Sequence, residues 1–252
     1  VNTQEDQESA AQNFEKYDFL ALPVVDNENR LVGIITVDDA IDVIQEEATE
    51  DIEKMAAIMP TDKPYMKTGV FETYKKRILW LLLLMISATF TGKIISSFED
   101  ALSACVVLTA FIPMLMDTGG NSGGQASVTI IRSMSLGDVE MKDIFKVLWK
   151  ELRVSLLCGL TLGAANFVKM MLVDRNAILS SGQSLVSVAL VVCLTLVVTV
   201  IIAKLIGCSL PMLAKKIGFD PAVMASPFIT TIVDAVSLII FFKIAVMILH
   251  IG

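Results

Sequence analysis

The chain has 252 residues, 54% of them hydrophobic, and a mean hydropathy of +0.69, which excludes an ordinary soluble domain and indicates a membrane protein. The formal charge of −7 conceals a division, because residues 1–54 hold 15 acidic and 3 basic side chains whereas the remainder holds 12 and 17. An acidic soluble head thus precedes a mildly basic membrane body, and no nucleic-acid partner is expected. Cys105, Cys158, Cys193 and Cys208 are scattered through apolar stretches with no CxxC pair and no histidine nearby. They support neither a disulfide framework nor a zinc site.

The chain opens at Val1 without a signal peptide and without the first strand of its soluble fold, so a piece of a longer protein is expected. The head reads as helix, strand, strand, helix. Leu20 to Asp26 is an apolar strand ending in the polar turn Asn27-Glu28-Asn29, and Leu31 to Ile35 is the return strand. Thr36-Val37-Asp38-Asp39 has the pattern of a capping box that opens a helix. On that helix Ile41, Ile44, Ala48, Ile52 and Met55 form an apolar face. Asp38, Asp39, Asp42, Glu46, Glu47, Glu50, Asp51 and Glu53 occupy the rest, against the single Lys54. An acidic helix is ordinarily a solvated surface. At this density the carboxylates repel one another unless cations neutralise them, and an oxygen-only donor set suits Mg²⁺ or Ca²⁺.

Five apolar windows are long enough to span about 30 Å of hydrocarbon. They run over Arg77–Ile95, Ala101–Ser133 (interrupted), Val154–Val173, Leu185–Ala214 and Ala222–Leu249. Basic residues fall in alternate connections. Lys75, Lys76 and Arg77 precede the first span, Arg132, Lys142, Lys146, Lys150 and Arg153 lie between the second and third, and Lys215 and Lys216 follow the fourth. By the positive-inside rule the head is cytoplasmic and the C-terminus extracytoplasmic. The expected fold is an all-α membrane protein with five transmembrane helices, preceded by an α/β head. The head covers 1–58, a linker or connecting helix 59–76, and the membrane domain 77–252.

Two spans carry polar stripes. In the second, Asp117, Asn121, Gln125 and Thr129 are four apart, beside the overlapping GxxxG pairs Gly119/Gly123 and Gly120/Gly124, which permit close backbone approach. Pro113 and these glycines are expected to loosen the helix and free backbone carbonyls at membrane depth. In the fifth, Ser226, Thr230 and Asp234 are four apart, with Ser237 on the same side. A carboxylate at bilayer depth costs at least about 2.5–3.5 kcal/mol, and the basic residue nearest to Asp234 along its own span is Lys243. Two polar-striped helices in one bundle are most economically read as lining a cation pathway, with Asp234, Asp117, Gly120, Asn121, Gln125, Ser226 and Thr230 on its wall. Asp117-Thr118-Gly119 also spells the DTG of aspartic proteases, so an intramembrane aspartyl protease using Asp117 and Asp234 is the alternative. That motif works in a β-turn, however, and this one lies in an apolar helical span.

The run Pro113 to Gln125 with Ile130-Ile131-Arg132 resembles MgtE-type magnesium channels. So do Asp220-Pro221-Ala222 with Ser226 to Asp234, and Val37 to Asp42 running into Glu47 to Ile52. The resemblance covers nearly the whole chain in the expected order. It implies a multi-pass homodimer in the plasma or inner membrane, with Mg²⁺ both transported and regulatory. It also implies that Asp234 faces a hydrated Mg²⁺ on the dimer axis, and that residues 4–45 are the second of two CBS domains. By the same resemblance Asp39, Asp42, Glu47, Glu50 and Asp51 help hold regulatory Mg²⁺, and Asp62 to Lys76 match a helix that closes the pore mouth. Ser226 stands where the family often has asparagine.

Overall fold

The computed structural model describes residues 1–61 and 63–251, with the side chain of Ser226 outside the described set. It divides into two compact units, one of residues 1–54 and 58–76, the other of residues 55–57 and 77–252.

The first unit is built as the sequence orders it. Helix α1 (Gln7–Tyr17) starts at Asp6, whose carboxylate accepts from the Ser9 amide, and stops at Asp18 in the left-handed conformation. Strands β1 (Ala21–Val25) and β2 (Leu31–Thr36) pair antiparallel. The turn between them is locked by Asp26, which accepts from the amides of Glu28 and Arg30 at 2.9 Å each and from Arg30 Nε at 3.1 Å. The Arg30 amide, ahead of the Glu28 amide, holds the Asp26 carboxyl below the usual carboxylate range.

Helix α2 (Val37–Met55) opens where Thr36-Val37-Asp38-Asp39 predicts, because Asp39 reaches back to the Thr36 amide (3.2 Å) and hydroxyl (2.8 Å). Asp39→Ala is expected to destabilise the head by about 1 kcal/mol, read from urea unfolding. The apolar face expected on α2 is largely unpacked, since Ile41, Ile44 and Ile52 are all exposed. Only Ala40 is buried among the helix's described residues. The linker folds against its neighbours in the unit: the Thr61 amide donates to Glu53, Lys63 pairs with Glu72 at 3.0 Å, and Lys76 Nζ donates to the Pro60 carbonyl at 2.6 Å.

A connecting helix is expected over 59–76. The described part of that segment is instead a 3-10 turn (Tyr65–Lys67) followed from Val70 by the first turns of α3 (Val70–Ser97), and Asp62 lies outside the described residues. Helix α3 runs unbroken into the first span because neither glycine nor proline separates Glu72 from Thr91. None of its most apolar stretch is buried within the chain.

The interruption expected in the second window is real. Helix α4 (Glu99–Ala104) ends at Cys105, a 3-10 segment follows, and α5 (Ile112–Ser135) then begins. Pro113 falls in the first turn of α5, where its missing N–H has no partner to lose. The expected loosening therefore does not occur, and α5 is continuous α-helix through all four glycines.

Helix α6 (Ile144–Lys169) passes through a π-helical turn (Met170–Asp174) into α7 (Arg175–Ser180), with Lys169 and Asp174 paired at 3.0 Å across the turn. Helix α8 (Leu185–Lys216) is the centre of the bundle and packs on α5, α6 and α9 (Ser226–Leu249). The main core joins Leu108, Leu115, Met170, Val188, Val192, Leu196, Leu238, Phe241 and Phe242.

Helix α3, the α6–α7 run, α8 and α9 are each long and apolar enough to cross a membrane. Helix α5 is the fifth long helix of the bundle. It falls below that standard of apolarity because its polar stripe and glycines replace aliphatic side chains.

Candidate functional site

The two polar-striped helices meet. Glycine is required where α5 presses on α9: a Cβ on Gly120 would sit 2.8 Å from Thr230 Cγ2, and one on Gly119 2.8 Å from Val233 Cγ1. Gly120 and Thr230, both expected on a pathway wall, therefore touch each other. The Thr230 and Thr231 hydroxyls both donate to the Pro227 carbonyl at 3.0 Å, which commits their protons and leaves each oxygen able to accept. Asp234 follows one turn later and is half-buried. The side chain of Ser226, the first expected member of this stripe, lies outside the described residues.

Asp117, Asn121 and Gln125 are exposed along one face of α5, and Asn121 Nδ2 donates to Asp117 Oδ1 at 3.0 Å. All three line a wide-mouthed chamber of about 520 Å³ between α5, α6 and α8, whose Leu157 and Leu162 walls are themselves exposed. Its other walls are Leu157, Cys158, Thr161 and Leu162 from α6 and Lys204 from α8. Lys204 is only 6% exposed. Sequence reasoning missed this residue. The signal that singles out Asp234, an ionisable side chain inside an apolar window, applies equally to a lysine within Leu185–Ala214.

In the head, a hollow of about 400 Å³ is lined by Asp42, Glu46, Glu47, Glu50 and Glu53 from α2, with Gln7, Thr61 and Lys63 among its other walls. Three of the five expected regulatory carboxylates, Asp42, Glu47 and Glu50, are therefore brought together. Glu47 accepts from Gln7 Nε2 at 2.9 Å, and Glu50 pairs with Lys54. Asp39 is used in the helix cap, and Asp51 is not on the hollow's wall. Glu46 and Glu53 join the hollow without having been singled out. Among the described residues, no three carboxylate, thiol or imidazole groups converge closely enough to cage an ion. A hollow of spaced carboxylates instead suits a cation that retains its water, as Mg²⁺ does.

The MgtE model of divalent cation transporters matches residues 112–244, from the start of α5 through Asp234. The CBS-domain model matches residues 1–46. A magnesium transporter MgtE of Thermus thermophilus is 39% identical over 99% of this chain, and one of Bacillus subtilis is 38% identical over 98%. A third, from Enterococcus faecalis, is 34% identical over 98%. The chain belongs to the MgtE family. It spans about half the length of these curated relatives, 52–53% in each. The MgtE match covers α5, α6, α8 and most of α9, and so includes Asp234 and the whole chamber with Lys204. These relatives are named as transporters, not as proteases.

Proposed function

We propose that this chain forms the membrane part of a Mg²⁺-selective channel or transporter, working as a homodimer and regulated by cytosolic Mg²⁺. One observation carries the reading. On the two helices that pack through Gly119 and Gly120, Asp234 lies half-buried one turn beyond Thr230, the residue that Gly120 presses on. A carboxylate at membrane depth needs a cation, and the matched family is one of divalent cation transporters. Mg²⁺ sheds water reluctantly and is held through one or two carboxylates, so a hydrated ion beside Asp234, with the Thr230 hydroxyl binding its waters, needs no histidine or cysteine. Twofold symmetry would set two Asp234 carboxylates about one axis, matching the ion's charge. The head would face the cytoplasm, on the side of the basic connections.

Regulation rests on the acidic hollow. Cytosolic Mg²⁺ would neutralise Asp42, Glu47 and Glu50, favouring the closed arrangement, and its loss would let the carboxylates repel. Each exposed like-charge pair is worth only about 0.2–0.5 kcal/mol, so the loss of ligation should outweigh the relieved repulsion when amides replace them. Asp42→Asn, Glu47→Gln and Glu50→Gln together are expected to weaken the Mg²⁺-dependent protease protection of the linker (63–76). Protection that follows Mg²⁺ as in the parent would remove the sensing role and leave the pathway standing. The pathway itself is tested by flux into liposomes of Mg²⁺, Ca²⁺, Mn²⁺ and Na⁺ measured in parallel. Mg²⁺ is expected to lead, and equal flux of all four would overturn the selectivity.

A further inference from the structure

Lys204 is the buried charge that the transport reading does not use. It sits on α8 between Ala203, fully buried, and the aliphatic Leu205, and it is 6% exposed. Among the described residues it makes no hydrogen bond or ion pair, and its position on the chamber wall is its route to solvation. An ammonium at membrane depth needs water or a counter-charge. The chamber can supply both, because its volume holds several waters and its α5 wall presents Asp117, Thr118, Asn121, Ser122 and Gln125. Asn121 occupies one oxygen of Asp117, which orients the carboxylate and leaves its second oxygen for another donor.

We infer that Lys204 is the chamber's resident cation, tethered to α8, and that it keeps free Mg²⁺ out of the space behind α5. This rests on the transport reading above and deepens it. Coulomb repulsion scales with the product of the charges, so a fixed +1 opposes a divalent ion twice as strongly as a monovalent one. The Lys204 charge also balances Asp117, so the chamber as a whole offers a free cation no net attraction. Mg²⁺ is thereby confined to the Asp234 side of the α5–α9 seam. Lysine suits the task because its flexible stem lets the ammonium follow the carboxylate while the chain keeps it from leaving.

Cys158 is a native reporter, being a free, half-exposed thiol on the chamber wall. The test labels it in the full chain in liposomes with a cationic and a neutral methanethiosulfonate of similar size, read by peptide mass spectrometry so that the other three cysteines are separate. The ratio of cationic to neutral rates reports the chamber's charge and is insensitive to its opening. Relative to the parent, Lys204→Met is expected to raise that ratio about tenfold, Asp117→Asn to lower it about tenfold, and the double substitution to restore it. Millimolar Mg²⁺ is expected to slow labelling of Lys204→Met and to leave the parent unchanged. If Lys204→Met does not fold, the double substitution against Asp117→Asn still reads the lysine's contribution. A ratio that ignores residue 204, or Mg²⁺ protection of Cys158 in the parent, overturns the inference. Neither readout requires conduction, so a failure of the transport reading would appear separately as absent Mg²⁺ flux.

Discussion

Asp234→Ala is expected to lower Mg²⁺ flux into liposomes by about 100-fold or more while the protein still folds and assembles. The direction of both effects follows from one cost. A carboxylate at this depth is worth at least about 2.5–3.5 kcal/mol of insertion penalty, so its removal relieves the membrane domain. The transported ion, in contrast, is deprived of the fixed charge that replaces part of its hydration. A 100-fold fall corresponds to about 2.8 kcal/mol at 1.4 kcal/mol per decade, which is the size of effect that deleting one partner of a buried charge pair produces. In a symmetric dimer the substitution removes two such charges from one axis. Asp234→Asn keeps the size and the ability to bind water, so flux is expected to persist in part while preference for Mg²⁺ over Na⁺ falls. Normal Mg²⁺ flux through Asp234→Ala would remove the residue from the pathway.

Much of the fold was legible because its signals are local. The hairpin followed from two apolar runs around a polar turn, and the start of α2 from four residues that cap it. All five long helices were visible as apolar windows, α5 included, although it is the least apolar of them. What the sequence concealed depends on residues far apart along the chain. Eight carboxylates in α2 repeat too densely for periodicity to tell which of them face one hollow, and Asp39 was spent on the cap. The stripe of Asp117, Asn121 and Gln125 was visible, but its apposition to Lys204 needed the placement of α8 beside α5. The basic residues of the loops dominate any reading of charge, which hides the one lysine inside the fourth window. The apolar face of α2 was legible as a pattern, yet periodicity cannot say what covers it, and Ile41 and Ile52 stay exposed within this chain.

Gly207→Ala is expected to be the most damaging single-methyl change in the membrane domain, with the yield of folded, detergent-stable protein falling close to zero. A Cβ at Gly207 would lie 2.2 Å from the carbonyl oxygen of Gly123, 2.9 Å from its carbonyl carbon and 3.0 Å from its Cα. All three atoms are backbone, so no side-chain rotation can relieve the clash and the helices α5 and α8 must separate. Separation there also reaches α9, because Gly123 is packed against Ile229, with only 2.6 Å between a Cβ on the glycine and Ile229 Cγ2. Alanine is the better helix former by about 1 kcal/mol, which opposes the damage. Overpacking in a close-packed core costs about 1–3 kcal/mol and more where backbone must move, and three helices meet at this point. Pro211, one turn on, withholds the N–H that would bond the Gly207 carbonyl, so the local ladder is already short of one bond. Val128→Leu adds a methylene on the open face of α5, where Val128 is 44% exposed, and is expected to be mild. The measurement is the midpoint of thermal unfolding and the yield of assembled protein in detergent. Equal, small shifts for Gly207→Ala and Val128→Leu would show that α5 and α8 do not meet backbone to backbone.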